Sequence, residues 1–329
     1  MSASRVPQQL DRRLALDLVR VTETAAVAAA VLRGRGDEQS ADEAAIAAAY
    51  RELTQMAISG RVVIGEGVEG EVPHLFLGET VGAGGETVDI AADALEGTTL
   101  CAKNMPGSIA VMVLAAPGSL LNAPPVYMDK IAIGPGYPAG IVSLTAKPED
   151  NIRALAQAKG VAPSEITALV LDRPRHAALI AAVRSVGASV KLITDGDVAG
   201  IIHTTNPRDS GVDIYLGIGG APEGVLAAAA LRCIGGQMQG RLILDTEAKR
   251  SLAKGLGIRD FAKVYDLEEM VRGDCLVAAT GVTDGALLHG VRFGRDMVET
   301  DTLLMRAATG TVRHIASQHR DLEKFQLEA

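Results

Sequence analysis

Tryptophan is absent from this chain, and only four phenylalanines and five tyrosines occur in its 329 residues. A core without large rings must be assembled from Ala, Val, Leu and Ile, packed through small side chains to the density of an organic crystal. Cysteine is also scarce. Cys101, Cys233 and Cys275 are odd in number and none forms a Cys-x-x-Cys pair. That pattern argues against a disulfide framework or a thiolate zinc site and for buried thiols in a reducing compartment. The six histidines include no His-x-x-x-His pair, which disfavours a helical zinc site. Lys and Arg are scattered, with no basic stripe, and the formal charge is −8. A nucleic-acid partner is therefore not expected. No apolar run reaches the ~18 residues of a membrane span. The opening "MSASRVPQQLDRR" lacks the apolar segment of a signal peptide. The expectation is a soluble cytoplasmic protein that touches neither nucleic acid nor membrane.

Hydrophobic residues make up 48% of the chain, and the length suits two lobes. Leu14, Leu18, Val21, Ala25 and Ala28 recur at helical spacing, which predicts a helix over 13–32. "GRGDEQ" interrupts it, and Ser40 is expected to cap a second helix. Short apolar runs at 61–64, 87–92, 108–116 and 127–133 read as strands. From about residue 150, strands and helices alternate, which predicts an α/β fold with a parallel or mixed sheet covered by helices. The expected division is 10–160 and 161–329.

Acids collect at one kind of position. Asp42 falls in the expected first turn of the second helix. Glu66 follows the strand 61–64, and Asp93 and Glu96 follow 87–92. Asp195 and Asp197 follow "VKLIT", and Glu223 follows "VDIYLGIGG" at a helix start. Loops beyond strand ends converge in α/β sheets and carry ligand sites there. Asp42 and Glu223 equally suit a helix first turn, where the macrodipole favours acids, and Glu66 equally suits a solvated glycine loop. Asp93 and Glu96 are harder to explain without a cation, because neighbouring like charges need a counter-charge. Oxygen-only donors suit Mg2+ or Mn2+. Two such ions would serve phosphoryl chemistry and attract an anionic substrate to an acidic protein. Thr98 would then orient a water or donate to a phosphate oxygen, and its plain alternative is to stabilise a turn.

Basic residues complete the pattern. Arg173 and Arg175 flank Pro174 after another strand, where guanidinium forks match phosphate geometry. Tyr127 and Lys130 in "YMDK" are candidates for a second phosphate or a sugar hydroxyl. "GEGVEG" at 65–70 has the spacing of a dinucleotide loop. Glu66 and Glu69 within it would repel a pyrophosphate, and Pro73 stands where a helix should run.

"DALEGT" resembles the Asp-Pro-(Ile/Leu)-(Asp/Glu)-Gly-Thr signature of the lithium-sensitive, metal-dependent sugar and inositol phosphatases. More closely, "GRGDEQSAD", "VVIGEG", "DALEGTTLCAKNMPGSIAV", "YMDKIAIGPG", "DRPRH", "DGDVA", "GIGGAPEGVLAAAALRCIGGQMQGRL" and "ATGVTDG" resemble the bacterial class II fructose-1,6-bisphosphatases, in family order over nearly the whole chain. The resemblance implies a two-lobed, layered α/β/α/β/α sandwich. It also implies removal of the 1-phosphate of fructose 1,6-bisphosphate with two Mg2+ or Mn2+ ions; a homodimer or homotetramer is expected as the default for soluble enzymes of this kind. Some relatives also act on sedoheptulose 1,7-bisphosphate. By resemblance, Asp42, Glu66 and Asp93 hold one ion, and Asp93, Glu96 and Glu223 hold the other. Thr98 and Glu66 are implied as catalytic. Glu96, Gly97, Thr98, Tyr127, Arg173, Pro174, Arg175, Asp195, Gly196, Asp197 and Gly220 are implied as substrate contacts. Two departures stand out: Ala94 replaces the family's usual proline, predicting a looser Asp93–Glu96 turn, and Val68 cannot ligate where an acid is usual. A sugar-phosphate-binding relative without turnover is the alternative of another class.

Overall fold

A computed structural model describes residues 9–326 of the chain. The first of two compact units opens with helices α1 (Leu14–Leu32) and α2 (Glu38–Gln55). It continues with β1 (Ile58–Ile64), the short β2 (Thr80–Val81), β3 (Glu86–Glu96), the single-turn α3 (Thr98–Ala102) and β4 (Ile109–Ala115). The chain then builds a second unit over Leu121–Val271. Its elements are β5 (Tyr127–Ile133), α4 (Pro148–Lys159), β6 (Thr167–Leu171), α5 (Ala177–Ser185), β7 (Ser189–Ile193), α6 (Asp197–Ile202) and α7 (Pro207–Ser210). They are followed by β8 (Ile214–Gly220), α8 (Ala221–Ile234), β9 (Gln237–Leu242), α9 (Glu247–Gly255), β10 (Val264–Asp266) and α10 (Leu267–Met270). From Arg272 the chain returns to the first unit with β11 (Cys275–Gly281), β12 (Arg292–Phe293), β13 (Val298–Arg306) and β14 (Thr311–His319). The expected boundary near 160 thus falls inside the second unit. The residues after 271, expected in the second lobe, are paired into the first unit's sheet.

That first sheet is eight-stranded, in the order β12-β13-β11-β4-β3-β1-β2, with β14 on the outer side of β13. β1 and β3 are parallel and the other pairs antiparallel. Helix α1 packs on β3, β4, β11 and β13, and α2 packs on α1 and β3. Ala25, Ala26 and Ala29 of α1 and Ala41, Ala45, Ala48 and Ala49 of α2 are all fully buried. These methyl-sized side chains let helices and sheet approach closely, as a chain poor in aromatics requires. Among the described residues, Phe325 is the one aromatic buried in this cluster, and the partly buried Tyr50 packs against it.

The second sheet runs β10-β9-β5-β8-β6-β7. β6 is parallel to β7 and β8, while β5 is antiparallel to both β8 and β9. The alternation that predicted a parallel or mixed sheet therefore resolves as mixed, and the whole chain is mixed α/β. Its core gathers Ile131, Ile133, Ile152, Leu155, Ile166, Val170 and Ile214.

One helix start differs from expectation. Asp37, not Ser40, caps α2: its Oδ1 accepts from the Ser40 backbone N–H at 3.0 Å, and its Oδ2 accepts from the Ser40 hydroxyl at 2.6 Å. A carboxylate satisfies the orphan N–H groups and the macrodipole together. The helix therefore begins at Glu38, which moves Asp42 out of the first turn. Among the described residues, no helix is long and apolar enough to cross a membrane.

The core argument predicts a contrast within α1. Leu18 is 0% exposed and Leu16 is 63% exposed. Leu18→Ala should cost about 2–5 kcal/mol in denaturant unfolding, and Leu16→Ala about 0.5 kcal/mol or less. Equal losses would contradict this packing.

Candidate active site

Residues three apart on a regular strand point to opposite faces of the sheet. Asp93 and Glu96 escape this rule. On β4, Asp93 pairs with Val111 and Glu96 with Ile109, so three steps on β3 match two on its neighbour. The bulge at Ala94–Leu95 absorbs the extra residue and brings both acids to one face. The expected turn is thus the bulged end of a strand, with Ala94 fully buried and Glu96 only 6% exposed. Strand β3 ends where Gly97 adopts φ 79°, and Thr98, half-buried, opens α3. The Ser108 hydroxyl donates to the Glu96 carbonyl at 3.0 Å and steadies this corner.

The bulge has a second effect. The Ala94 N–H donates to Glu66 Oε1 at 2.6 Å. Glu66 arrives from β1, the parallel neighbour of β3, through Gly65. Only a glycine fits there, because a Cβ would lie 2.0 Å from the Leu75 carbonyl oxygen. The Glu66 N–H donates to that same oxygen at 3.0 Å. His74 in this loop stacks on Tyr50 of α2, with ring centroids 3.8 Å apart. The loop carrying Glu66 is therefore held to the helix carrying Asp42. The turn before α2 is pinned in its own right: Gly34 and Gly36 N–H groups donate to the Cys101 and Ala102 carbonyls of α3, each at 2.9 Å. Burial, with Glu43 adding, pushes the Asp42 carboxyl up to about 6.

In the second unit, Tyr127 opens β5 and pairs across the ladder with Gly220 at the end of β8. The Arg175 guanidinium lies 4.8 Å from the centre of the Tyr127 ring and donates to the Ile218 carbonyl at 2.8 Å. Arg173 and Pro174 precede it in the short turn after β6. His176, to which the sequence assigned no role, locks this turn in place. Its Nε2 accepts from the Ile218 N–H at 2.8 Å, so Nδ1 carries the proton donated to the Leu171 carbonyl at 2.7 Å. Burial lowers its pKa, which suits this neutral clamp. The only signal for it was its place in "DRPRH".

Lys130 departs from expectation. It is fully buried, so it offers nothing to a phosphate. Its ammonium donates to Asp197 Oδ2 and, at 2.9 Å, to the Gly220 carbonyl. Asp197 begins α6 behind Gly196, whose φ is 82°, and Asp195 precedes it half-buried. Glu223 sits in the first turn of α8 as expected, half-buried, and its buried Oε2 has no hydrogen-bond partner. Burial raises its pKa, Asp197 and Asp195 raise it further, and Lys130 opposes them. A Cβ on Gly220 would fall 1.8 Å from that same Oε2, so the glycine makes room for the carboxylate.

The predicted residues therefore assemble in two sets. Glu66 meets the bulge between Asp93 and Glu96, with Asp42 and Thr98 on elements tied to it. Tyr127, Arg173, Pro174, Arg175, Asp195, Gly196, Asp197, Gly220 and Glu223 belong to the second unit. Among the described residues, no three His, Cys, Asp or Glu side chains are gathered as a ready-made cation cage. The donor chemistry nevertheless fits a hard divalent cation. The donors are all oxygen, Asp42 is destabilised as an anion by burial, and a buried Glu223 oxygen is unpartnered.

Comparison with known proteins agrees with this chemistry. Residues 12–319 match the family of bacterial fructose-1,6-bisphosphatases, glpX-encoded. A protein of Synechococcus sp. (strain JA-3-3Ab) named D-fructose 1,6-bisphosphatase class 2/sedoheptulose 1,7-bisphosphatase is 41% identical, over 94% of this chain and 96% of its own. One of the same name from Prochlorococcus marinus (strain MIT 9313) is also 41% identical, over 94% of this chain and 97% of its own.

Two outcomes follow from the geometry. Folding raises the Asp42 pKa from 3.8 to about 6, so the folded protein holds this proton more tightly. Stability is then lost as pH rises through that window. In buffer free of divalent cations, Asp42→Asn should be about 1–2 kcal/mol more stable than the parent at pH 7, a value reduced for partial solvation, with the gap closing near pH 4. No difference at pH 7 in denaturant unfolding would reject the burial argument. Ala94→Pro deletes the donor to Glu66, so it should cost about 1–3 kcal/mol rather than stiffen the corner. An unchanged or raised unfolding midpoint would show that this bond contributes nothing.

Proposed function

Because the chain belongs to the glpX-encoded family of bacterial fructose-1,6-bisphosphatases, we propose that it hydrolyses the 1-phosphate of fructose 1,6-bisphosphate to fructose 6-phosphate and phosphate. It is then a metal-dependent phosphoric monoester hydrolase. The observation that supports this reading is the bulge of β3, which turns Asp93 and Glu96 to one face and presents the Ala94 N–H between them to Glu66.

The residues that would hold Mg2+ or Mn2+ are Asp42, Glu66, Asp93, Glu96 and Glu223. When bound, two such ions supply Lewis acidity toward phosphoryl oxygens and lower the pKa of water. The protein's own groups do the rest. The Thr98 hydroxyl orients the attacking water for in-line displacement. Arg175 spends one N–H on the Ile218 carbonyl and keeps others for phosphate oxygens, with Arg173 beside it. Tyr127, half-exposed under the Arg175 guanidinium, contacts the sugar end of the substrate. Asp195, Gly196, Asp197 and Gly220 offer acceptors to sugar hydroxyls. The buried cysteines, none of them in a disulfide, fit the reducing cytoplasm, and a homodimer or homotetramer is the assembly this reading includes.

A second reading adds sedoheptulose 1,7-bisphosphate as substrate. It is favoured by the double name of the cyanobacterial relatives. Both compounds are ketose bisphosphates with the same 1-phosphate end.

Purified protein should release phosphate from fructose 1,6-bisphosphate with Mg2+ or Mn2+. Asp93→Asn should lower the rate about 10- to 100-fold or more at fixed metal concentration. Assaying both bisphosphates in parallel separates the two readings. Calorimetric binding of the sugar bisphosphate with no release under either metal would mark a binding protein and reject both.

A further inference from the structure

Lys130 lies on β5, a central strand, opposite Gly217 of β8 and Gly240 of β9. It is 0% exposed. Burying an ammonium is costly unless its partners are well placed, and a buried ion pair replaced by apolar packing often leaves stability unchanged or improved. Stability alone therefore does not account for it. Its partners point to another role. One ammonium binds the Asp197 carboxylate and the Gly220 carbonyl, which lie on separate segments of the chain. The Tyr215 hydroxyl donates to the same Asp197 oxygen at 3.4 Å. The surroundings are cut to fit. A Cβ on Gly219 would fall 2.0 Å from Asp197 Oδ2 and 2.9 Å from the Lys130 ammonium, and one on Gly224 would fall 3.2 Å from Lys130 Cδ.

We propose that Lys130 is a positioning residue, whose buried ammonium ties the 195–197 turn and the glycine turn before α8 to one point and so sets the sugar-binding acceptors at a fixed separation. This rests on the reading of Asp195–Asp197 and Gly220 as substrate contacts. Lys130 touches no substrate; it acts through Asp197 and Gly220. The same ammonium opposes the negative charge that Asp197 and Asp195 present to Glu223. Acceptors for sugar hydroxyls bind well only if they are held where the hydroxyls arrive, because loose ones lose affinity to ordering.

The test is Lys130→Met, which keeps an unbranched stem and removes the charge. Amide hydrogen exchange should quicken at both 195–200 and 219–224 while β6 and β9 keep their parental rates. KM for fructose 1,6-bisphosphate should rise about tenfold or more, the scale of one charge-assisted hydrogen bond, with kcat within about threefold. If the unpaired Asp197 prevents folding, Lys130→Met combined with Asp197→Asn leaves no buried charge unpaired, and exchange at 219–224 reads the link by itself. Parental exchange rates at both segments overturn the proposal. So does quickened exchange throughout 121–271, which would make Lys130 a general structural support. A parent enzyme that leaves fructose 1,6-bisphosphate intact rejects the assigned activity, and the exchange result still decides the role of Lys130.

Discussion

The side-chain period of a β-strand is two, and a ligand site at a strand end must obey it or break it. Strand β3 breaks it once, between Asp93 and Glu96. At the same spacing in a regular strand the two acids would face opposite sides of the sheet and share nothing. With the bulge they share a face, and the N–H of Ala94 is turned from the ladder toward Glu66. The rest of the first unit is arranged around this corner. The parallel pairing of β1 with β3 delivers Glu66 to the same end of the sheet. Gly65 lets the loop pass against Leu75, and the Tyr50–His74 stack fastens that loop to the helix carrying Asp42.

Both units use the same economy of charge. Each holds a carboxylate that burial disfavours as an anion. Asp42 is held high by burial, and Glu223 by burial together with Asp197 and Asp195. A folded chain tolerates such groups where a cation or a bound substrate is to complete them. The resulting arrangement reconciles an acidic chain with an anionic substrate. In the proposed reading, attraction depends on local completion of these oxygens and on Arg173 and Arg175, not on net charge. Glycine provides the space: at Gly219 and Gly220 the volume of a side chain is occupied instead by Asp197 and Glu223, and at Gly224 by Met128 with Lys130 beside it.

Much of this was legible in the residue order, because much of it is local. The ranges of α1, β5 and β8, the helix start at Glu223 and the turn at 173–175 all follow from periodicity and from Pro and Gly placement. The misreadings were non-local. Ser40 looks like a cap until Asp37 is seen to take the bond. Asp93–Glu96 reads as a turn because a bulge exists only relative to the partner strand. Lys130 looks like a surface cation, since nothing in "YMDK" reveals that Asp197 lies over it. Ala94 looked like a loosened proline position, yet its N–H donates to Glu66. The return of the chain after Arg272 into the first sheet was also hidden, because β11 pairs with β4 across a separation that no local window spans.

The sequence by itself determined the class of the protein and its chemistry. Small apolar residues at helix and strand periods specify a mixed α/β core, and the oxygen donors with arginine forks specify a metal-dependent encounter with phosphate. These are properties of residue type and short spacing. Tertiary structure alone decided which acids face one another, which charge is buried as scaffold, and which strands close the sheet. Those outcomes depend on register and on packing between segments far apart in the chain, where one residue of slip sends a side chain to the opposite face.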